Sequence, residues 1–124
     1  MKIRVLGCHG GELPGFSSVS LLINEKICID AGSITSVLTQ KEQLKLKHVL
    51  ITHAHMDHVR DLHFLVDNRF VSGALNEPVT VYGSPFVVKS IHDHIFNGVI
   101  WPDYTKTPHG APLLYLQAIG DKPV

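Results

Sequence analysis

The sequence predicts an α+β domain, a mixed sheet layered against helices. Three observations predict it. Apolar and polar residues alternate at the N-terminus, short apolar runs then alternate with segments of helical period, and turn-forming residues separate the segments. The resulting order is strands, helix, strand, helix, strand, helix, strand.

The first strand is read at Ile3 to Leu6, followed by a glycine-rich loop through Gly7-Cys8-His9-Gly10-Gly11 and Leu13-Pro14-Gly15. Val19 to Ile23 and Ile27 to Ile29 flank Asn24-Glu25-Lys26 and read as a hairpin. Ser33 is a suitable N-cap for a short helix through about Lys41, with Ile34, Val37 and Leu38 at helical spacing. A buried strand is expected at His48 to Ile51, then a helix from about His58 to Asn68 with Val59, Leu62, Leu65 and Val66 facing inward. Val79 to Tyr82 is a further strand, stopped by Gly83. Ser84 and Pro85 then supply an N-cap and an N1 proline for a helix to about Phe96, closed by Asn97-Gly98. Trp101 to Pro112 reads as loop, and Leu113 to Ile119 as a last strand.

Composition narrows the function classes. With 124 residues and 44% hydrophobic content, the chain reads as one domain over 1–124, incomplete at its C-terminus because Gly120 to Val124 is neither a capped helix end nor a long tail. Eleven basic residues balance eleven acidic ones, which removes the general attraction toward nucleic acid or an anionic membrane. The N-terminus reads as a strand and not a signal peptide, and no run approaches the ~18 apolar residues of a membrane span. The expectation is a cytoplasmic protein in which Cys8 and Cys28 stay reduced.

The chemistry is concentrated in His53-Ala54-His55-Met56-Asp57-His58. His53 and His55 are two apart after a buried strand, so in extended backbone both imidazoles project to one side and can share a cation. Asp57 and His58 follow where the chain turns into a helix, and can serve a second cation. Neutral imidazole suits zinc, iron or manganese, and the carboxylate adds charge and hardness. Two such ions ~3.5–4 Å apart can activate a water and stabilise a developing oxyanion, so hydrolysis is the natural output. A two-metal centre wants about six protein ligands, of which four are supplied here. His9, His63, His92, His94 and His109 are nominal candidates for the rest, none with a convincing partner. His92 and His94 lie in a predicted helix, where neighbouring positions diverge by about 100°.

The run Thr52-His53-Ala54-His55-Met56-Asp57-His58 resembles the signature of the metallo-β-lactamase superfamily, and Cys28-Ile29-Asp30-Ala31-Gly32 looks like its early aspartate segment. The resemblance implies the first half of an αβ/βα sandwich with the metal site at the sheet ends. Within the superfamily the chain is most similar to class II cyclic-nucleotide phosphodiesterases, through Val49 to His58 joined to Ile91-His92-Asp93-His94-Ile95-Phe96-Asn97 and Ile100-Trp101-Pro102-Asp103.

By that resemblance His53 and His55 ligate the first metal and Asp57 and His58 the second. Asp57 also touches the nucleophilic water, and Asp30 orients a ligand imidazole. The implied cofactors are two divalent ions, zinc first with iron or manganese as alternatives. The implied substrate is a 3′,5′-cyclic nucleotide, cAMP or cGMP, hydrolysed to the 5′-nucleotide. Trp101 with His92 or His94 is a candidate lining of the nucleotide pocket, weighed against ordinary core packing. A homodimer is among the assemblies allowed. The family pattern continues with a histidine, a bridging aspartate and a final histidine, expected beyond Val124. Two other readings compete: another hydrolase of the fold acting on an RNA 3′ end, thioester or lactam, and an inactive truncated metal-binding domain.

Overall fold

The computed structural model describes residues 1–106 and 110–120. Six strands form one sheet in chain order: β1 (Ile3–Gly7), β2 (Ser20–Ile23), β3 (Ile27–Ile29), β4 (His48–Leu50), β5 (Val79–Gly83) and β6 (Leu114–Ala118). The first three pair antiparallel, and β3 through β6 pair parallel. Parallel neighbours need crossovers, and helices supply them. Helices α1 (Ile34–Val37) and α2 (Gln40–Lys45) join β3 to β4, α3 (Met56–Val59) and α4 (Leu62–Val71) join β4 to β5, and α5 (Pro85–His94) joins β5 to β6.

The hairpin between β2 and β3 turns through Asn24 and Glu25, both at positive φ (47° and 61°), with the Lys26 N–H donating to the Ile23 carbonyl at 3.1 Å. Two positive φ values in succession give the turn whose twist matches that of the flanking strands.

Leu22, Cys28, Val49, Val81 and Leu116 fall in one row across β2 to β6. All but Leu116 are buried on the helix side, where Ile34, Leu62, Leu65, Val66, Ile91 and Phe96 close the core. The opposite face carries half-exposed Leu21, Ile23, Ile27, Ile29 and Leu50, with exposed Ile3 and Val5 on β1. No helix among the described residues is long and apolar enough to cross a membrane.

Two helices differ from the sequence expectation. The one read from Ser33 to about Lys41 breaks at Leu38, which is extended (φ −82°, ψ 139°), and α2 starts afresh from Thr39. Thr39 and Glu42 form a reciprocal capping box, whereas the Ser33 side chain makes no cap bond. The helix read from His58 to Asn68 is also two, interrupted at Arg60 and Asp61. The Asp61 N–H leaves the helical ladder to donate to the Ala31 carbonyl at 2.9 Å, and its buried carboxylate accepts from the Thr35 N–H at 2.9 Å. The last helix follows its signals: Ser84 Oγ accepts from the Val87 N–H, Pro85 stands at N1, and α5 ends at His94.

Candidate metal centre

The parallel strands β3 and β4 end side by side, and the chain leaving each contributes to one cluster. Register pairs Ile29 with Leu50. Asp30 and Thr52 therefore emerge at the same end of the sheet. Ile51, still buried, donates its N–H to Tyr82 on β5 at 2.8 Å, which holds the following histidines at the sheet edge. His55 is extended (φ −66°, ψ 147°) and occupies the N-cap position of α3, so Asp57 and His58 fall in its first turn.

Asp30 is the anchor. It is 3% exposed and sits at φ +59°, left-handed backbone that Asp and Asn tolerate better than other non-glycine residues. That conformation aims its carboxylate at three groups. Oδ1 accepts from the Thr52 N–H at 2.9 Å, the Thr52 hydroxyl lies 3.0 and 2.9 Å from the two oxygens, and His58 Nδ1 stands 2.8 Å from Oδ2.

These contacts assign tautomers. The Asp30 carboxylate is an acceptor only, so His58 Nδ1 carries hydrogen and donates to it. The Thr52 hydroxyl spends its one hydrogen on the same carboxylate, so at 3.1 Å it accepts from His53 Nδ1. Both rings are then held through Nδ1, leaving the Nε2 lone pairs available, the outer-shell arrangement that sets up imidazole as a ligand. His58 Nε2 faces Asp57 Oδ2 at 3.4 Å. That separation is close to the span of two donors on one cation. Two bonds of ~2.0–2.1 Å at a tetrahedral angle subtend about 3.4 Å.

The three imidazoles are neighbours: ring centroids of His53 and His58 are 3.9 Å apart and those of His53 and His55 are 4.7 Å apart. Among the described residues, however, no three His, Cys, Asp or Glu side chains stand where they could hold one ion together. The donor set and the Asp57–His58 edge fit a divalent cation, and the remaining ligands are not gathered around that edge.

The other histidines have other company. His9 packs edge-on against Phe16 with its Nδ1 3.7 Å from Cys8 Sγ. His63 packs against Phe64 and Trp101, which also touch each other, and burial holds its pKa below the ordinary value. His92 Nε2 lies 3.1 Å from Asp103 Oδ2, and His94 is exposed on α5. His109 lies outside the described residues. Trp101 joins the margin of the core, with its Nε1 buried and unpartnered. Thr52, which links Asp30 to His53, is the residue that sequence reasoning did not single out, although its place directly before the first histidine was a usable signal.

A mixed sheet whose fourth strand runs into a histidine-rich turn under an aspartate from the third is the architecture of a metallo-β-lactamase-fold protein. The crystal structure of the metallo-β-lactamase fold protein YhfI from Bacillus subtilis superposes with a TM-score of 0.69 over 98% of this chain and 47% of its own, at 20% identity. That of unliganded yeast PDE1 gives 0.76 over 98% and 51%, at 17% identity. The profile of the class-II cAMP phosphodiesterases matches residues 19–118, and the chain belongs to that family.

Among curated relatives, a 3′,5′-cyclic-nucleotide phosphodiesterase of Schizosaccharomyces pombe is 36% identical over 50% of this chain and 17% of its own. A ribonuclease Z of Leuconostoc mesenteroides is 27% identical over 91% of this chain and 44% of its own. The chain thus spans less than half the length of these relatives and about half of each solved structure.

Proposed function

We propose that this chain provides the first ligand turn of a metal-dependent phosphodiesterase that hydrolyses 3′,5′-cyclic nucleotides, cAMP or cGMP, to the 5′-nucleotide. The observation that carries the reading is the paired restraint of His58 by Asp30 and of His53 by Thr52 through their Nδ1 atoms, with His58 Nε2 facing Asp57. Membership in the class-II family supports the substrate class.

His53 and His55 are the proposed ligands of one divalent ion, and Asp57 and His58 of the other. Zinc is favoured by the imidazole-rich donors, with iron and manganese compatible. Bound there, the ions supply Lewis acidity toward a phosphoryl oxygen and lower the pKa of water toward neutrality. The chain's own residues do the rest. Asp30 and Thr52 hold the two imidazoles in one tautomer and orientation, and Asp57, half-buried, offers a carboxylate oxygen as acceptor for the proton of an attacking water. With the ions and the remaining ligands in place, the cyclic phosphodiester is the electrophile and the departing ribose oxygen stays tethered to the product.

The test is metal content by mass spectrometry together with turnover of cAMP, cGMP and a generic phosphodiester after loading with Zn2+, Mn2+ or Fe2+. Cyclic-nucleotide turnover that follows bound metal is the expected result. Indifference to cyclic nucleotides alongside hydrolysis of the generic ester would overturn it.

A second reading, hydrolysis at an RNA 3′ end, draws on the ribonuclease Z relative, whose alignment covers most of the chain. The balance of eleven basic against eleven acidic residues argues against it, because RNA binding draws affinity from a cationic surface. Cleavage of a precursor RNA with no cyclic-nucleotide turnover would favour it.

A further inference from the structure

Beneath the cluster, the backbone of Asp30-Ala31-Gly32 brackets helix α3. The Ala31 N–H donates to the His58 carbonyl at 2.7 Å, the Ala31 carbonyl accepts from Asp61, and the Gly32 N–H donates to the Val19 carbonyl at 2.9 Å. Between these bonds the turn is pressed against Gly32. A Cβ there would lie 2.2 Å from the Asp57 carbonyl oxygen, 2.6 Å from Ser18 Cβ and 2.8 Å from the Ser18 carbonyl carbon. Gly32 is not among the residues at positive φ, so its backbone suits any residue and the space does not. Ser18, 2% exposed, is confined from its other side too, since a Cβ on Gly7 would meet its carbonyl oxygen at 2.0 Å. Gly7, Ser18, Gly32 and the Asp57 carbonyl thus form a stack with no slack.

We infer that Gly32 is a positioning residue: its missing side chain sets how closely the Asp57–His58 turn approaches Asp30, and with it whether His58 meets the Asp30 carboxylate. The inference rests on the metal-site reading for its consequence, but not for its geometry. Restoring ordinary contact between a new Cβ and the Asp57 oxygen requires a shift of about 1 Å. A misplacement of that size is enough to cost on the order of 100-fold in a positioned reaction.

The experiment compares Gly32→Ala with Gly10→Ala, where a Cβ has nothing within 4 Å. In the metal-free protein, proton–nitrogen NMR of the histidine rings reads the hydrogen-bonded Nδ1–H of His58, identified by its shift in Asp30→Asn, where a neutral amide replaces the carboxylate acceptor. Titration with Co2+ then reads affinity and ligand-field absorption. Gly32→Ala is expected to retain cooperative unfolding, lose or shift the His58 Nδ1–H signal, and bind Co2+ about 10–100-fold more weakly with altered absorption, with Gly10→Ala unchanged.

An unshifted His58 signal in folded Gly32→Ala would overturn the inference whether or not metal binds. No Co2+ binding by the unmutated protein would sink the metal-site reading alone, leaving the NMR comparison to decide. Should Gly32→Ala not fold, Gly32→Ala/Ser18→Gly relieves the Ser18 side-chain contact and keeps the Asp57 one. If that variant is also unfolded, Gly32 serves packing and the inference fails.

Discussion

Asp30 Oδ2 stands 2.8 Å from His58 Nδ1, joining the residue that follows β3 to the first turn of α3. The contact crosses from one element to another, so it fixes where the histidine-rich turn sits as well as which tautomer His58 adopts. It exists because Asp30 takes a left-handed φ of +59°, and the same carboxylate is tied to Thr52 after β4. One side chain therefore registers two strand ends and a helix.

Asp30→Asn is the sharpest test of that role. Asn tolerates left-handed backbone as Asp does, so the fold is kept while the charge facing His58 is removed. Affinity for Zn2+, measured by calorimetric titration, is expected to fall about 10–100-fold, with any cyclic-nucleotide turnover falling in parallel. Undiminished affinity would show that His58 does not depend on Asp30.

The two thiols should separate cleanly. Cys8 is exposed in the glycine-rich loop, whereas Cys28 is buried on β3, where desolvation pushes its pKa up to about 12. The thiolate is the reactive species. At pH 8 an aromatic disulfide reagent is expected to titrate one thiol per chain in the native state and the second only after denaturation. Two fast equivalents would place Cys28 outside the core.

Strand positions were legible because alternation and β-branched runs bounded by turns are local signals: all six strands fall where the sequence placed them, within about one residue at each end. The histidine-rich turn was legible as a cluster for a similar reason, since four donor side chains stand within six residues. What was not legible depends on distant partners. The break at Asp61 follows from hydrogen bonds to Ala31 and Thr35, across the sheet-to-helix layer. The need for glycine at 32 comes from Ser18 and Asp57, neither adjacent in sequence. The break at Leu38 is the exception, because Thr39-x-x-Glu42 is a capping-box pattern that could have been read.

His63 predicts a pH dependence. Burial holds its folded pKa below the ordinary 6.5, with Asp61 and Asp67 opposing and Arg60 adding to the shift. The unfolded chain then takes up the proton more readily than the folded one, so stability is complete above about pH 6.5 and declines as the pH falls from there toward the folded value. Urea denaturation of the unmutated protein and His63→Phe, which keeps an aromatic ring against Trp101, should show the larger loss between about pH 7 and 5 in the unmutated protein. Equal losses would contradict the assignment.

Arg69 is the least expected member of the core. It is fully buried on α4, yet among the described residues no carboxylate lies in ion-pair contact with it. Nε donates to the Glu77 carbonyl at 2.8 Å, Nη1 to Leu65 at 3.0 Å, and Nη2 to Gln43 at 3.1 Å and to Leu46 at 2.5 Å. Gln43 and Leu46 lie in the last turn and C-cap of α2, the negative end of the helix dipole, so carbonyl dipoles stabilise the cation, and the charge of Glu77 adds to them. Burial lowers its pKa to about 10, which still leaves it charged at neutral pH. The side chain clasps α2, α4 and the segment before β5, and its planar fork cannot be copied by an ammonium. Arg69→Met fills the volume but strips several buried carbonyls of their donor, at about 1–3 kcal/mol for each one left unsatisfied. A loss of at least about 3 kcal/mol is expected from the urea midpoint at unchanged slope, with Arg69→Lys recovering part of it. If Arg69→Met lost less than about 1 kcal/mol, water would have to be reaching those carbonyls, and the core would be open where it is now read as closed.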